Sequence, residues 1–319
     1  MRSQVNPRIV CLGGGHGLAA TLAAVRKLTT EITAIVTVAD NGGSSGRLRE
    51  EFPIFPPGDL RMALAALCAD DEWGKSWADI LQYRFTSDGA LNGHAVGNLL
   101  LAALWDRDVD PVIGLDRVAA LLKVVGRVLP MAAVPLDIEA IFENTGVLQK
   151  VRGQVQVATA QGKLKSLQLV PENPTALPVA LTAIEQADWI TVGPGSWFSS
   201  VLPHFLVTQQ REALVRSSAK KIIILNLDSH SGAQADEFAG NTPVEHLEML
   251  HTYAPDMKID YVLIDQAELD DGQRLQRLVE SFGGALHVAD LRKSPGSLNH
   301  DVKKLISVLS HIMDKSLVG

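Results

Sequence analysis

Three glycine-rich stretches each follow an apolar run and carry the short polar side chains that bind phosphate. Gly13-Gly14-Gly15-His16-Gly17 follows Arg8-Ile9-Val10-Cys11-Leu12 and opens onto a helical pattern from Leu18 to Leu28. Asp40-Asn41-Gly42-Gly43-Ser44-Ser45-Gly46 follows the β-branched run from Ile32 to Ala39, with Arg47 and Arg49 just beyond. Gly193-Pro194-Gly195-Ser196 follows Trp189-Ile190-Thr191-Val192, with Ser196 placed to cap the next helix. Glycine lets backbone amides approach an anion closely, and amides at a helix N-terminus point at it with the helix dipole behind them.

The first loop also satisfies G-x-G-x-x-A from Gly15 to Ala20, and Asp40 lies about 20 residues on, as a dinucleotide fingerprint requires. That spacing admits a nicotinamide or flavin enzyme. Asp40, however, opens a second glycine loop, where it could hold a ribose hydroxyl or a hard cation, Mg²⁺ most simply, shared with ligand phosphates. There is no Walker motif, no G-x-S-x-G elbow and no His or Cys cluster with metal-ligand spacing.

Outside these loops, Asp59 in Pro56-Pro57-Gly58-Asp59-Leu60-Arg61 reads as a helix N-cap, which alone would account for an aspartate there. Arg61, in the first turn, opposes the helix dipole and so calls for an anionic partner. In Asn92-Gly93-His94-Ala95-Val96-Gly97-Asn98, His94 and Asn98 stand four apart on one face of a mainly apolar helix. Such a pair is commonly a satisfied core group, yet His94 titrates near neutrality and could move a proton. Asp40, Asp59 and His94 are the catalytic candidates. In Asn226-Leu227-Asp228, strand alternation lets only one of Asn226 and Asp228 face the ligand edge.

These loops need a sheet to hold them. Strand, loop, helix, strand, loop at the start of the chain, and four further strands near 189–192, 221–226, 261–264 and 286–289, predict a Rossmann-like doubly wound, mainly parallel α/β sheet of about six strands. Between the second strand and the rest stands an insertion, helical from Asp59 to about Gly126, then antiparallel. In it Val155-Gln156-Val157 and Leu167-Gln168-Leu169 alternate about Gln161-Gly162 as a β-hairpin. The expectation is one interrupted domain over 1–319, with its core in 1–58 and 172–319 and the insertion in 59–171.

At 319 residues with 46% hydrophobic content the chain can bury a large core, which excludes a disordered protein. A formal net charge of −7 argues against non-specific nucleic-acid or lipid-surface binding. No apolar stretch is long enough to span a membrane and Met1 to Pro7 lacks a signal-peptide core, so a cytoplasmic location is expected. Cys11 and Cys68 read as buried apolar residues rather than a disulfide. The expected partner is a small, phosphate-rich molecule, best a nucleoside diphosphate conjugate; a homodimer is held open.

Taken together in order, Gly-Gly-Gly-His-Gly at 13–17, Val-Ala-Asp-Asn-Gly-Gly-Ser-Ser-Gly-Arg-Leu-Arg at 38–49, Pro-Pro-Gly-Asp-Leu-Arg at 56–61, Gly-His-Ala-Val-Gly-Asn-Leu at 93–99 and Gly-Pro-Gly-Ser at 193–196 resemble the gluconeogenesis factor family, bacterial relatives of 2-phospho-L-lactate transferase. The resemblance covers nearly the whole chain. It implies one of two activities. The transferase branch moves a phospholactyl group from a guanosine diphosphate-type donor to a deazaflavin, making a coenzyme F420 precursor. The gluconeogenesis factor branch, which the long Asp40–Arg47 loop resembles, is a regulator that binds UDP-sugars and supports cell shape on gluconeogenic carbon sources. The chain departs from the family pattern at Asn226–Gln234, where an Asn-x-Met-Thr-Gln-x-Gly-Glu-Thr run is common, and at Asn299-His300-Asp301, where Arg-His-Asp is usual.

The combined expectation places a diphosphate between the first and third loops, contacted by Gly14, Gly15, His16, Gly17, Gly193, Pro194, Gly195 and Ser196. Asn41, Gly42, Gly43, Ser44 and Arg47 close over it, Asp40 meets a ribose or cation, and Asn98 and Asn226 supply polar contacts in the floor.

Overall fold

The computed structural model describes residues 6–108, 110–227 and 242–315. In chain order the elements are β1 (Ile9–Gly13), α1 (Gly15–Val25), β2 (Ile32–Val36), α2 (Gly43–Glu51), α3 (Pro57–Leu67), α4 (Glu72–Gln82), α5 (Val96–Arg107), α6 (Pro111–Leu121), β3 (Arg127–Pro130), β4 (Asp137–Asn144), β5 (Val147–Arg152), α7 (Gln154–Thr159), β6 (Lys163–Val170), α8 (Pro178–Gln186) and β7 (Trp189–Val192). After β7 come α9 (Pro203–Leu206), α10 (Thr208–Arg216), β8 (Lys220–Ile224), α11 (Pro243–Tyr253), β9 (Tyr261–Asp265), α12 (Gly272–Ser281), β10 (Ala285–Ala289) and α13 (Val302–Lys315).

Among the described residues, seven parallel strands form one sheet in the order β10-β9-β8-β7-β1-β2-β3. This is the doubly wound architecture read from the sequence, with one strand more. The extra strand, β3, pairs with β2 from Thr33↔Arg127 to Val36↔Pro130. It adds to the main sheet from within the segment read as insertion, because the helices α2 to α6 act as a long crossover between two neighbouring parallel strands.

From β1 the chain winds outward through β2 and β3, then returns to β7 on the other side of β1 and winds out again. The order therefore reverses between β1 and β7, and such reversal points open a crevice beyond the carboxyl ends of the strands. Register brings the ends level: Leu12 lies opposite both Ile35 and Val192, and Gly13 opposite Val36. The strands are buried on both faces, from Ile9 to Leu12 and from Ile222 to Ile224, as expected of a sheet covered by helices. Cys11 and Cys68 are buried free thiols, and burial pushes them up to about 12 and about 11.

A second, antiparallel sheet has the order β5-β4-β6. The strand expected at Val155–Val157 is instead α7, and the partner of β6 is β4, with Ile138 opposite Leu169. Two valines two residues apart fit a strand or one helical turn equally, and local bonding decides. Val157 donates its amide to the Gly153 carbonyl at 2.9 Å, Gly153 turns the chain at φ +100°, and Val157 enters the core while Val155 stays outside.

Candidate functional site

The crevice is built on Gly14. This residue is the N-cap of α1, and a Cβ placed on it would lie 2.3 Å from Asp59 Oδ2, 2.5 Å from Thr37 Cγ2 and 2.9 Å from Ser200 Oγ. Three segments, 37–40 after β2, the start of α3, and the turn after β7, thus meet the first glycine loop at one point. The loop at 193–196 closes on it from the other side: a Cβ on Gly17 would stand 2.2 Å from the Pro194 carbonyl oxygen. Thr37 Oγ1 donates to the Ser199 carbonyl at 2.8 Å, tying β2 to the turn after β7. Gly15, His16 and Gly17 form the first turn of α1, with the His16 side chain exposed.

Ser196 caps the single π-helical turn Trp197–Val201, accepting the Ser199 amide at 3.1 Å. Asn226 accepts the Gly195 amide at 2.9 Å, which anchors the third loop to the exit of β8. Asp228 and the rest of the Asp228–Gln234 departure lie outside the described residues. At the other departure, His300 is buried and titrates well down, at about 4, because burial disfavours its charged form.

Pairing in β2 stops at Val36, where Thr37 donates to the Gly13 carbonyl, and residues 37–40 run on outside the strand. Asp40 therefore stands four residues past the strand end, not at it where a dinucleotide fingerprint places its acid. Its Oδ1 accepts the Gly42 amide at 2.8 Å, and its carbonyl accepts from Arg49 Nη1 at 2.9 Å.

Asp59 is not the N-cap of α3. Pro56 holds that position, Pro57 is the first helical residue and Asp59 the third, because Pro57 has the fixed φ and the missing amide that suit a helix start. Asp59 points instead at the first loop and accepts the Gly15 amide. Desolvation by burial first, and the Asp40 carboxylate second, push Asp59 up to about 7. A Cβ on Gly58 would be 3.2 Å from Asp40 Oδ2, so the two acids converge although α2 separates them in sequence. Arg61 is buried, bonded to Gln82 Oε1, with its Nε lacking a partner. Burial, and then the Arg84 charge, lower it to about 10.

His94 is not on the α5 helix; α5 starts at Val96, and the four-residue spacing to Asn98 is bridged by a third residue. Ser44 Oγ lies 2.9 Å from His94 Nδ1 and accepts from Asn98 Nδ2 at 2.9 Å. All three are buried, and Asn98 Oδ1 has no partner. Burial, then the Arg47 charge, lower His94 below its ordinary value. Ser44 thus fastens the first turn of α2 to α5. Arg47 gives its guanidinium to the carbonyls of Ala90 and Asn92, at 3.2 and 2.7 Å. Gly43, at φ +46°, is exposed with open space around it.

Sequence reading missed Thr37, Ser199 and Ser200, which carry no motif of their own, and Val155, whose setting depends on α7. No group of three or more His, Cys, Asp or Glu able to hold a metal occurs among the described residues, so Asp40 and Asp59 alone would give a cation only part of its shell. Among those residues no helix is long and apolar enough to cross a membrane.

The comparisons agree with this architecture. A protein from Mycobacterium tuberculosis is 46% identical over 311 residues, covering 95% of this chain and 90% of its own length. The gluconeogenesis factor of Bacillus subtilis is 36% identical over 275 residues, covering 86% and 84%. The crystal structure of a UPF0052 family protein from Bacillus halodurans superposes with a TM-score of 0.83 at 32% identity, covering 95% of this chain and 98% of that one. The family model described as 2-phospho-L-lactate transferase CofD matches residues 9–294. With that match and relatives of this similarity, the chain belongs to the 2-phospho-L-lactate transferase CofD family, alongside the proteins named gluconeogenesis factor.

Proposed function

We propose that this protein binds a nucleoside diphosphate sugar, UDP-linked, in the crevice between β1 and β7, and acts in the cytoplasm as a regulator of central carbon metabolism and cell shape. The observation that carries the reading is the convergence of the segment after β2, the start of α3 and the turn after β7 on Gly14, the cap of α1, at a sheet reversal point. Backbone amides aimed at one place bind the part of a ligand that carries delocalised negative charge, and the glycine loops after β1 and β7, which meet at Gly17 and Pro194, offer amides from two sides as a diphosphate requires. Membership of a family whose model is described as a phospholactate transferase supports a nucleotide-type ligand, and relatives named gluconeogenesis factor support the regulatory role. The test is calorimetry and thermal shift with UDP-N-acetylglucosamine at up to millimolar concentration, where even weak binding stabilises the native state. Absence of any signal overturns the reading.

A second reading, group transfer from a nucleoside diphosphate conjugate, is favoured by Asp59, whose titration near 7 suits a proton carrier at physiological pH. Asp40 would then hold a Mg²⁺ together with the ligand's phosphate oxygens, the cation would neutralise charge on the leaving nucleotide, and Asp59 would stay free to carry the proton. Release of UMP or GMP from a donor, lost in Asp40→Ala, supports transfer; binding without turnover sinks it.

A further inference from the structure

On the nucleotide-sugar reading the amide-lined loops take the diphosphate, and the rings at its ends need a surface of their own. The segment beside them is α7, part of the small lobe to which neither the sequence motifs nor the family description assigns a role. Asn41, inside the second loop, reaches across to this helix: its Oδ1 accepts the Val155 amide at 3.3 Å and its Nδ2 donates to Gln156 Oε1 at 3.3 Å. Gly153, just before α7, has no room for a side chain, since a Cβ there would be 2.2 Å from Asn41 Nδ2. A second tie runs beneath it, with Arg49 on Asp137 at 3.0 Å and Arg152 on the other oxygen of the same carboxylate at 2.6 Å. α7 also packs against the turn Trp197–Val201, which follows the third loop. It therefore touches both the second loop and the turn beyond the third.

Val155 stands on this bridge. One of its methyl carbons lies 3.5 Å from where a Cβ on Gly42 would be, and 47% of the residue remains exposed. Its neighbour Val157 is 1% exposed and holds the helix to the lobe, so Val155 is not needed as an anchor. An apolar side chain held in water at the edge of a phosphate loop gains only when another apolar surface covers it.

We infer that Val155 is a specificity-determining residue: its isopropyl group takes the ring at one end of a diphosphate ligand, base or sugar, and Asn41 is the positioning residue that holds it over the phosphate loop. The inference rests on the nucleotide-sugar reading above. It assigns the small lobe the task of distinguishing a nucleotide conjugate from bare phosphate.

The experiment is isothermal calorimetry on the full chain with three probes: inorganic pyrophosphate, UDP and UDP-N-acetylglucosamine. Val155→Ala trims an exposed residue and should leave thermal stability unchanged. The expected result is a roughly 3- to 10-fold loss of UDP-N-acetylglucosamine affinity with pyrophosphate affinity unchanged. If UDP weakens equally, the ring on Val155 is the base; if UDP is unaffected, it is the sugar. Asn41→Ala should lower UDP-N-acetylglucosamine affinity by a larger factor than pyrophosphate affinity, and the double variant with Val155→Ala should lose less than the product of the two single losses. Equal weakening of all three probes by Val155→Ala, or no change in any, overturns the inference while leaving nucleotide-sugar binding intact. Failure of the wild-type protein to bind UDP-N-acetylglucosamine overturns instead the reading beneath it.

Discussion

Asp59 sits against Gly14 so closely that a methyl group on Gly14 would stand 2.3 Å from Oδ2, and the same carboxylate accepts the amide of Gly15. The third residue of α3 and the cap of α1 are therefore one unit, and the width of the crevice is set where they touch. Gly14→Ala would force Asp59, Thr37 and Ser200 apart together. Overpacking of this kind costs about 1–3 kcal/mol, so denaturant unfolding should show a loss in that range, with ligand affinity falling further than stability. A variant as stable as wild type that still binds would show that the walls part freely.

The titration of Asp59 sets a pH dependence with a definite sign. In the native protein it holds its proton up to about 7, whereas an ordinary aspartate releases it at 3.8. Between those values the native state binds more protons than the unfolded chain, so this group's contribution to stability is full below about 4 and is lost as pH rises toward 7. Asp59→Asn should remove the effect. Relative to wild type, the variant should gain on the order of 3 kcal/mol between pH 4.5 and pH 8. A difference that is flat with pH would mean that Asp59 titrates normally.

Histidine works in the opposite direction. His246 is buried, stacks on Trp197 with centroids 4.6 Å apart and planes 9° from parallel, and burial drives its titration down to about 3. The unfolded chain takes up a proton near 6.5 and the native state does not, so stability is present above that pH and is lost as the solution is acidified toward 3. His246→Phe keeps an aromatic face against Trp197 and cannot titrate. Its melting temperature should fall less than that of wild type between pH 7.5 and pH 5, as measured by parallel thermal scans.

Much of this was legible from residue type and spacing. Glycine runs after apolar runs announce strand ends, so residue type alone places Gly13–Gly17 and Gly193–Ser196 on one edge of a parallel sheet. What spacing could not supply was lateral position. Asp40 and Asp59 belong to different motifs, and only the packing of α2 and α3 brings them together. Ser44 is 54 residues from Asn98, and a serine in a glycine loop looks like a phosphate contact until its hydroxyl is found between His94 and Asn98. The Val155–Val157 alternation was misleading because three residues carry too little periodicity to separate strand from helix; the Gly153 turn and the Asn41 side chain settle it.

Ser44→Ala tests the fastening of α2. Removing the hydroxyl leaves His94 Nδ1 and the Asn98 amide buried with nothing between them, and an unsatisfied buried polar group costs about 1–3 kcal/mol. Denaturant unfolding should report a loss of that size. Hydrogen exchange should quicken in the first turn of α2 ahead of the main sheet, since the strands do not depend on this contact. Global destabilisation without local loosening of α2 would show that Ser44 matters only as packing.

The convergence of Asp40 on Asp59 gives the most direct measurement. Burial is the larger cause of the raised Asp59 titration and the Asp40 charge the second, so the two can be separated by removing only the charge. Asp40→Asn keeps the shape and the acceptor for the Gly42 amide, and should move the Asp59 midpoint down from about 7 while leaving it above the ordinary 3.8. Carbon-13 NMR of labelled aspartate carboxyls follows that midpoint residue by residue. A divalent cation bridging the acids should act in the same direction in the wild-type protein, because a positive charge favours the ionised carboxylate. Titration in Mg²⁺ therefore distinguishes the two settings. A midpoint that drops with Mg²⁺ in wild type but not in Asp40→Asn places the cation between the pair, whereas the same drop in both places it elsewhere.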